Sequence, residues 1–140
     1  MVAHDCARAY RTNSILTASP GQLVLMLYDG ALGALAAARI AFGRPARDLQ
    51  RFEVINKQLT KARAIVTELQ GRLDYTADPE FAQTMFRLYE YYGRRLMEAN
   101  LRKDAEPVAE VEKLLGEIRD AWAAMLMKQR APEAEPALAS

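Results

Sequence analysis

Residues 51–75 read RFEVINKQLTKARAIVTELQGRLDY. Within this stretch Phe52, Ile55, Leu59, Ala62, Val66, Leu69 and Leu73 recur at alternating intervals of three and four residues. A side chain returns to the same face of a helix at that interval, and a sustained run of it makes the seam of a helical bundle rather than a half-buried strand. Arg51, Glu53, Lys57, Lys61, Arg63 and Glu68 fall on the other faces. One stripe therefore seeks a core while the rest seeks water. The stretch sets the fold class as all-α and predicts a helix over about 48–75.

Moving outward, proline divides the chain. The six prolines stand at 20, 45, 79, 107, 132 and 136, and the long intervals between them are rich in good helix formers. Ser19-Pro20 is a start signal, an N-cap followed by proline at the first helical position, and Gln22 completes a capping-box pattern. A first helix is expected from there to about Phe42, stopped by Gly43 and Pro45, with Leu23, Leu27, Gly30, Ala34, Ala37 and Ala41 as its inner line. Asp78-Pro79 opens a third helix, with Phe81, Met85, Leu88, Tyr92 and Leu96 inward, ending near 100–102. A fourth begins near Asp104 and directs Val108, Val111, Leu115, Ile118, Trp122 and Met125 to the core. After Met127 the composition turns to Ala, Pro and Glu. The expected organisation is an arm over 1–18, non-helical or short-helical, then a bundle over 19–128 and a disordered tail over 129–140. Short links force neighbouring helices antiparallel, so the architecture is an up-down four-helix bundle.

Composition excludes several functions. A formal net charge of +1 gives no footprint for nucleic acid or an anionic membrane. The apolar run Leu23–Phe42 is nearly long enough for a bilayer. It carries Asp29 and Arg39, so a bundle helix is expected there, with no membrane insertion. The single cysteine, Cys6, cannot form an internal disulfide. The single histidine, His4, leaves every predicted helix without the Glu-x-x-His pairs of a di-iron bundle or the histidine of a phosphotransfer bundle. His4, Asp5 and Cys6 have no second cluster with which to complete a metal shell. Gly21, Gly30, Gly33 and Gly43 match no phosphate-binding loop. No metal, cofactor or catalytic residue is expected.

Apolar residues are over-supplied instead. The first helix is hydrophobic almost all round, with Val24, Leu25, Met26, Tyr28, Leu32 and Leu35 off its inner line. The third adds Phe86, Tyr89 and Tyr91, and the second adds Leu49, Val54 and Ile65. Such faces either widen the core or await the arm, another copy of the chain, or a partner helix laid in a groove.

The order of particular residues narrows the choice. Ala9-Tyr10-Arg11-Thr12-Asn13-Ser14-Ile15, then Thr17-Ala18-Ser19-Pro20-Gly21-Gln22-Leu23, then Met26-Leu27-Tyr28-Asp29-Gly30 resemble the opening of the FliS family of flagellin export chaperones. Lys61-Ala62, Glu68-Leu69 and Leu73-Asp74 resemble its second helix. Leu88-Tyr89, Arg94-Arg95-Leu96 and Ala99-Asn100 resemble its third, and Glu110-Val111 with Arg119-Asp120-Ala121-Trp122 its fourth. The resemblance covers roughly residues 9–125. Gln22 departs from it where an acidic residue is common, and Asp78-Pro79 where a glycine-rich link is usual.

The resemblance implies a cytoplasmic, non-enzymatic chaperone. It implies binding of the disordered C-terminal segment of flagellin, prevention of premature polymerisation, and delivery to the type III export gate, a membrane protein. The arm around Tyr10 is then expected to cover the groove when no partner is bound. The partner-binding residues expected are Tyr10, Ile15 and Leu16 on the arm and Tyr28, Ile65, Tyr89, Tyr92 and Leu96 at or beneath the bound segment. Asn100 is expected to cap the third helix. The competing expectation is a self-associating structural bundle, a homodimer when unbound, that does not bind flagellin.

Overall fold

The computed structural model describes the backbone of residues 19–139 and the side chains of residues 19–129. It contains four helices: α1 Pro20–Phe42, α2 Arg51–Gly71, α3 Pro79–Arg102 and α4 Glu106–Ala139. Among the described residues there is no strand. α1 packs on α2 and α4, α2 packs on α3, and α3 packs on α4. Helices adjacent in sequence are thus adjacent in space, and the last closes the ring onto the first. This is the all-α, up-down four-helix bundle that the seam in residues 51–75 implied. The arm of residues 1–18, with His4, Cys6, Tyr10, Ile15 and Leu16, lies outside the described residues, as do the side chains of the expected tail from residue 130.

Local chemistry sets the helix ends. Ser19 Oγ accepts from the Gln22 N–H at 3.2 Å, and Gln22 Oε1 accepts from the Ser19 N–H at 3.3 Å, a complete capping box. Asp78 Oδ1 accepts from the Phe81 N–H at 3.1 Å, with Pro79 in the first turn behind it. α2 is shorter than expected because Asp74 competes for the chain. Its Oδ1 accepts from the Thr76 N–H at 2.9 Å and the Thr76 hydroxyl at 2.5 Å, closing a turn that ends helical pairing at Gly71. α3 ends on Lys103, not Asn100. Lys103 stands in the left-handed region at φ 50° and ψ 50°, and its N–H donates to the Ala99 carbonyl. Asn100 joins helices instead, its Nδ2 donating to Asn56 Oδ1 at 2.8 Å.

The core follows the predicted seam of α2 from Ile55 through Leu59, Ala62 and Val66 to Leu69, all buried. Phe52, at one end of that seam, is half exposed. The inner line of α1 is rotated from the expected one. Tyr28, Ala31, Ala34, Leu35, Ala38 and Ala41 are buried, while Leu23, Leu27, Gly30 and Ala37 are only partly so. A helix apolar on every side carries no periodic contrast, so packing decides which face turns in, and it chose the small one. α3 buries Ala82, Met85, Tyr89, Tyr92, Leu96 and Ala99. Tyr89 is therefore a core residue, and Phe81 lies half outside the core it was assigned to.

α1 is long and apolar enough to cross a bilayer by composition, with a mean hydropathy of 1.6 over its most apolar window. Here it lies between α2 and α4. Its two charges are used across one seam: Arg39 Nε donates to Glu112 at 2.9 Å, and Asp29 accepts from Arg119 Nε at 2.8 Å.

Candidate functional site

The bundle is not equally filled along its length. At the end where α1 and α3 begin and α2 finishes, beside the middle of α4, the side chains part around an apolar cavity of about 480 Å³. Every helix contributes: Val24 and Tyr28 from α1, Leu69 from α2, Phe81, Met85 and Tyr89 from α3, and Ile118, Trp122 and Met125 from α4. The volume lies in the range of sites that hold small ligands or partner side chains. At the opposite end Ala34, Ala38, Ala41, Ala62 and Ala99 are buried and the helices close on one another.

Two polar features stand in the apolar wall. Tyr28 and Tyr89 both line the cavity, and their hydroxyl oxygens lie 2.5 Å apart. Burial pushes the Tyr28 hydroxyl above its ordinary range, with the bond to Tyr89 pulling the other way. Burial raises Tyr89 further, and the bond to Tyr28 and that residue's nearness add to the rise. Tyr92, one turn deeper, is raised chiefly by burial as well. All three phenols therefore stay protonated through the physiological range. The second feature is Trp122, whose Nε1 donates to the Gly21 carbonyl at 2.8 Å and whose ring stands edge-on to Tyr28. A Cβ on Gly21 would lie 2.7 Å from Leu126 Cδ2, so a larger residue there would have to push that side chain aside.

The mouth of the cavity carries charge. Arg72, Asp74 and Asp78 stand there. Arg72 is held by Glu68 through bonds of 3.1 and 3.0 Å. The Thr76 hydroxyl and backbone N–H hold the Asp74 carboxyl below its ordinary range, so it is ionised at neutral pH.

Of the expected contact residues, the structure brings Tyr28 and Tyr89 to the cavity. Tyr92 and Leu96 lie deeper in the core and do not line it. Ile65 is half-buried and sits over Gly30 of α1, away from the cavity. Tyr10, Ile15 and Leu16 lie outside the described residues. Sequence reasoning missed Phe81, Met125 and Trp122 as wall residues because it placed them on core stripes. The available signal was position: Phe81 and Met125 end their stripes, where helices diverge. Among the described residues no cluster of His, Cys, Asp and Glu could hold a metal ion.

The profile described as "Flagellar protein FliS" matches residues 3–130 of this chain. Flagellar secretion chaperone FliS of Salmonella typhimurium is 40% identical over 125 residues, covering 87% of this chain and 84% of its own. That of Bacillus subtilis is 38% identical over 122 residues, covering 87% and 86%. That of Escherichia coli K12 is 38% identical over 122 residues, covering 82% of each. The chain belongs to the FliS family.

FliS proteins are flagellar secretion chaperones, not enzymes. Segments that carried the FliS resemblance far apart in sequence meet in space. Asp29 of Met26-Leu27-Tyr28-Asp29-Gly30 pairs with Arg119 of Arg119-Asp120-Ala121-Trp122. Tyr28 and Trp122 of the same two segments form adjacent walls of the cavity. In this FliS chain Tyr89, from the segment Leu88-Tyr89, completes the cavity floor.

Proposed function

We propose that this chaperone binds the C-terminal segment of flagellin in the cytoplasm, with the cavity between the four helices as its anchoring point. The observation that carries the reading is the apolar cavity at the end of the bundle where α1 begins. An amphipathic segment that polymerises through its apolar face is kept soluble when that face is buried elsewhere. At about 25 cal/mol per Å² of apolar surface removed from water, a segment laid along the bundle offsets the cost of ordering it. α1, which follows the arm carrying Tyr10, Ile15 and Leu16 in sequence, starts at Pro20, and Val24 of its first turns lines the cavity wall. The arm competes for the same surface and shields it until flagellin arrives. The loaded complex then delivers flagellin to the membrane protein of the type III export gate.

Co-expression with flagellin shortened at its C-terminus tests the reading. The full-length partner is expected to co-elute with the chaperone on size exclusion and the shortened one to run separately. A surviving complex with the shortened partner sinks the proposal. Tyr10→Ala is expected to change flagellin affinity without lowering the melting temperature of the bundle. Sedimentation of the free chain checks the competing reading, because a homodimer that flagellin does not dissolve assigns the apolar surface to self-association.

A further inference from the structure

The cavity floor has a hydrogen-bond imbalance. Each phenol carries one hydrogen, and only one of the two fits between oxygens 2.5 Å apart. The second O–H has no acceptor among the described residues. Both side chains are nearly sealed, at 2% and 3% exposure, and both face the cavity. A buried donor without an acceptor is costly, and a ligand that supplies the acceptor recovers that cost on binding. The mouth has an imbalance of charge. Arg72 is already paired with Glu68. Asp74 and Asp78 each direct one oxygen to their own turn or cap, and neither has a cationic partner among the described residues.

We infer that the cavity reads a two-part key on the partner segment. One part is an apolar side chain beside an oxygen acceptor, either a backbone carbonyl left free or a side-chain oxygen, that takes the unmatched tyrosine hydrogen. The other is a lysine or arginine that meets Asp74 and Asp78 at the mouth. This rests on the reading that the cavity receives the flagellin C-terminal segment, and it names what that segment must present.

Calorimetric titration of the full chain with the purified C-terminal segment of its cognate flagellin tests the key. Tyr28→Phe/Tyr89→Phe removes both hydroxyls, so neither is left stranded and the bundle keeps its melting temperature. Affinity is expected to fall roughly two- to tenfold, the weight of one hydrogen bond. A cavity that recognised only apolar surface would bind the segment as well or better with phenylalanine there, and that result overturns the key. Asp74→Asn/Asp78→Asn keeps the turn and cap oxygens while removing both charges. It is expected to weaken binding and flatten its salt dependence, and an unchanged affinity and salt slope overturn the cationic half. No binding by the wild-type chain overturns both the key and the reading beneath it.

Discussion

Tyr28 and Tyr89 sit on α1 and α3, which are not neighbours in the ring, so their bond crosses the core. Removing one hydroxyl breaks their bond and leaves the other with no protein partner among the described residues, in an apolar surrounding, whereas removing both leaves two rings with no polar group to satisfy. Tyr28→Phe and Tyr89→Phe are each expected to cost about 1–2 kcal/mol, and the double variant less than either, as denaturant titration of the four chains will show. The same pair sets the alkaline limit. A phenol whose folded pKa is raised holds its proton in the folded state after the unfolded chain has released it. The stability it contributes is complete below the ordinary tyrosine pKa of about 10 and is lost as pH rises beyond it. Melting temperature should therefore show no tyrosine-dependent change between about pH 6 and 9 and fall above about 10, and the double phenylalanine variant should fall less. Lys103 stands at φ 50°, where an L side chain is crowded and glycine is not. Its Nζ donates to Asn100 Oδ1, which offsets part of that cost. Much of this scale was hidden in the sequence. A tyrosine flanking a core stripe reads as a surface residue until the diagonal partner that accepts its hydrogen bond is known.

At the scale of the helix, each element was legible to the degree that its sequence carries contrast. α2 alternates apolar and charged residues, and five of its seven seam positions are buried as expected, Ile55 to Leu69. The starts of α1 and α3 were read correctly from Ser19-Pro20 and Asp78-Pro79 because a cap is a local bond. The inward face of α1 was not legible, since an apolar helix specifies no face. What chose it was packing against α2 and α4, which turned in a face that is mostly alanine, with Tyr28 and Leu35. Ala38→Leu is accordingly expected to destabilise by about 1–3 kcal/mol through overpacking. Leu59→Ala, its counterpart on α2, should cost about 2–5 kcal/mol through the void it leaves. Ser19→Ala should lose about 1 kcal/mol with the cap, all three read by thermal melting. For the cavity, Tyr28 and Tyr89 line it and Tyr92 and Leu96 do not, a division that an excess of apolar and aromatic residues in the sequence could not make. Depth in a bundle depends on helix rotation, which no spacing rule supplies.

For the molecule as a whole, one end is built from alanine and the other from large side chains set apart around a cavity. Alanine brings backbones together, so the inward faces of the helices at that end are closely packed. At the cavity end the side chains part around the void, and fewer contacts must break for a segment to open. Hydrogen exchange should therefore be graded along the bundle axis. Amides around Ala38, Leu59, Ala99 and Val111 should exchange only through global unfolding. Those around Val24, Leu73, Phe81 and Trp122 should exchange through smaller openings, and a bound flagellin segment should slow the second group alone. If the cavity receives flagellin as proposed, the alanine end holds the four helices together while the cavity end is the part that must open for loading and release. On that proposal, release of the segment requires a local opening and not the unfolding of the whole bundle.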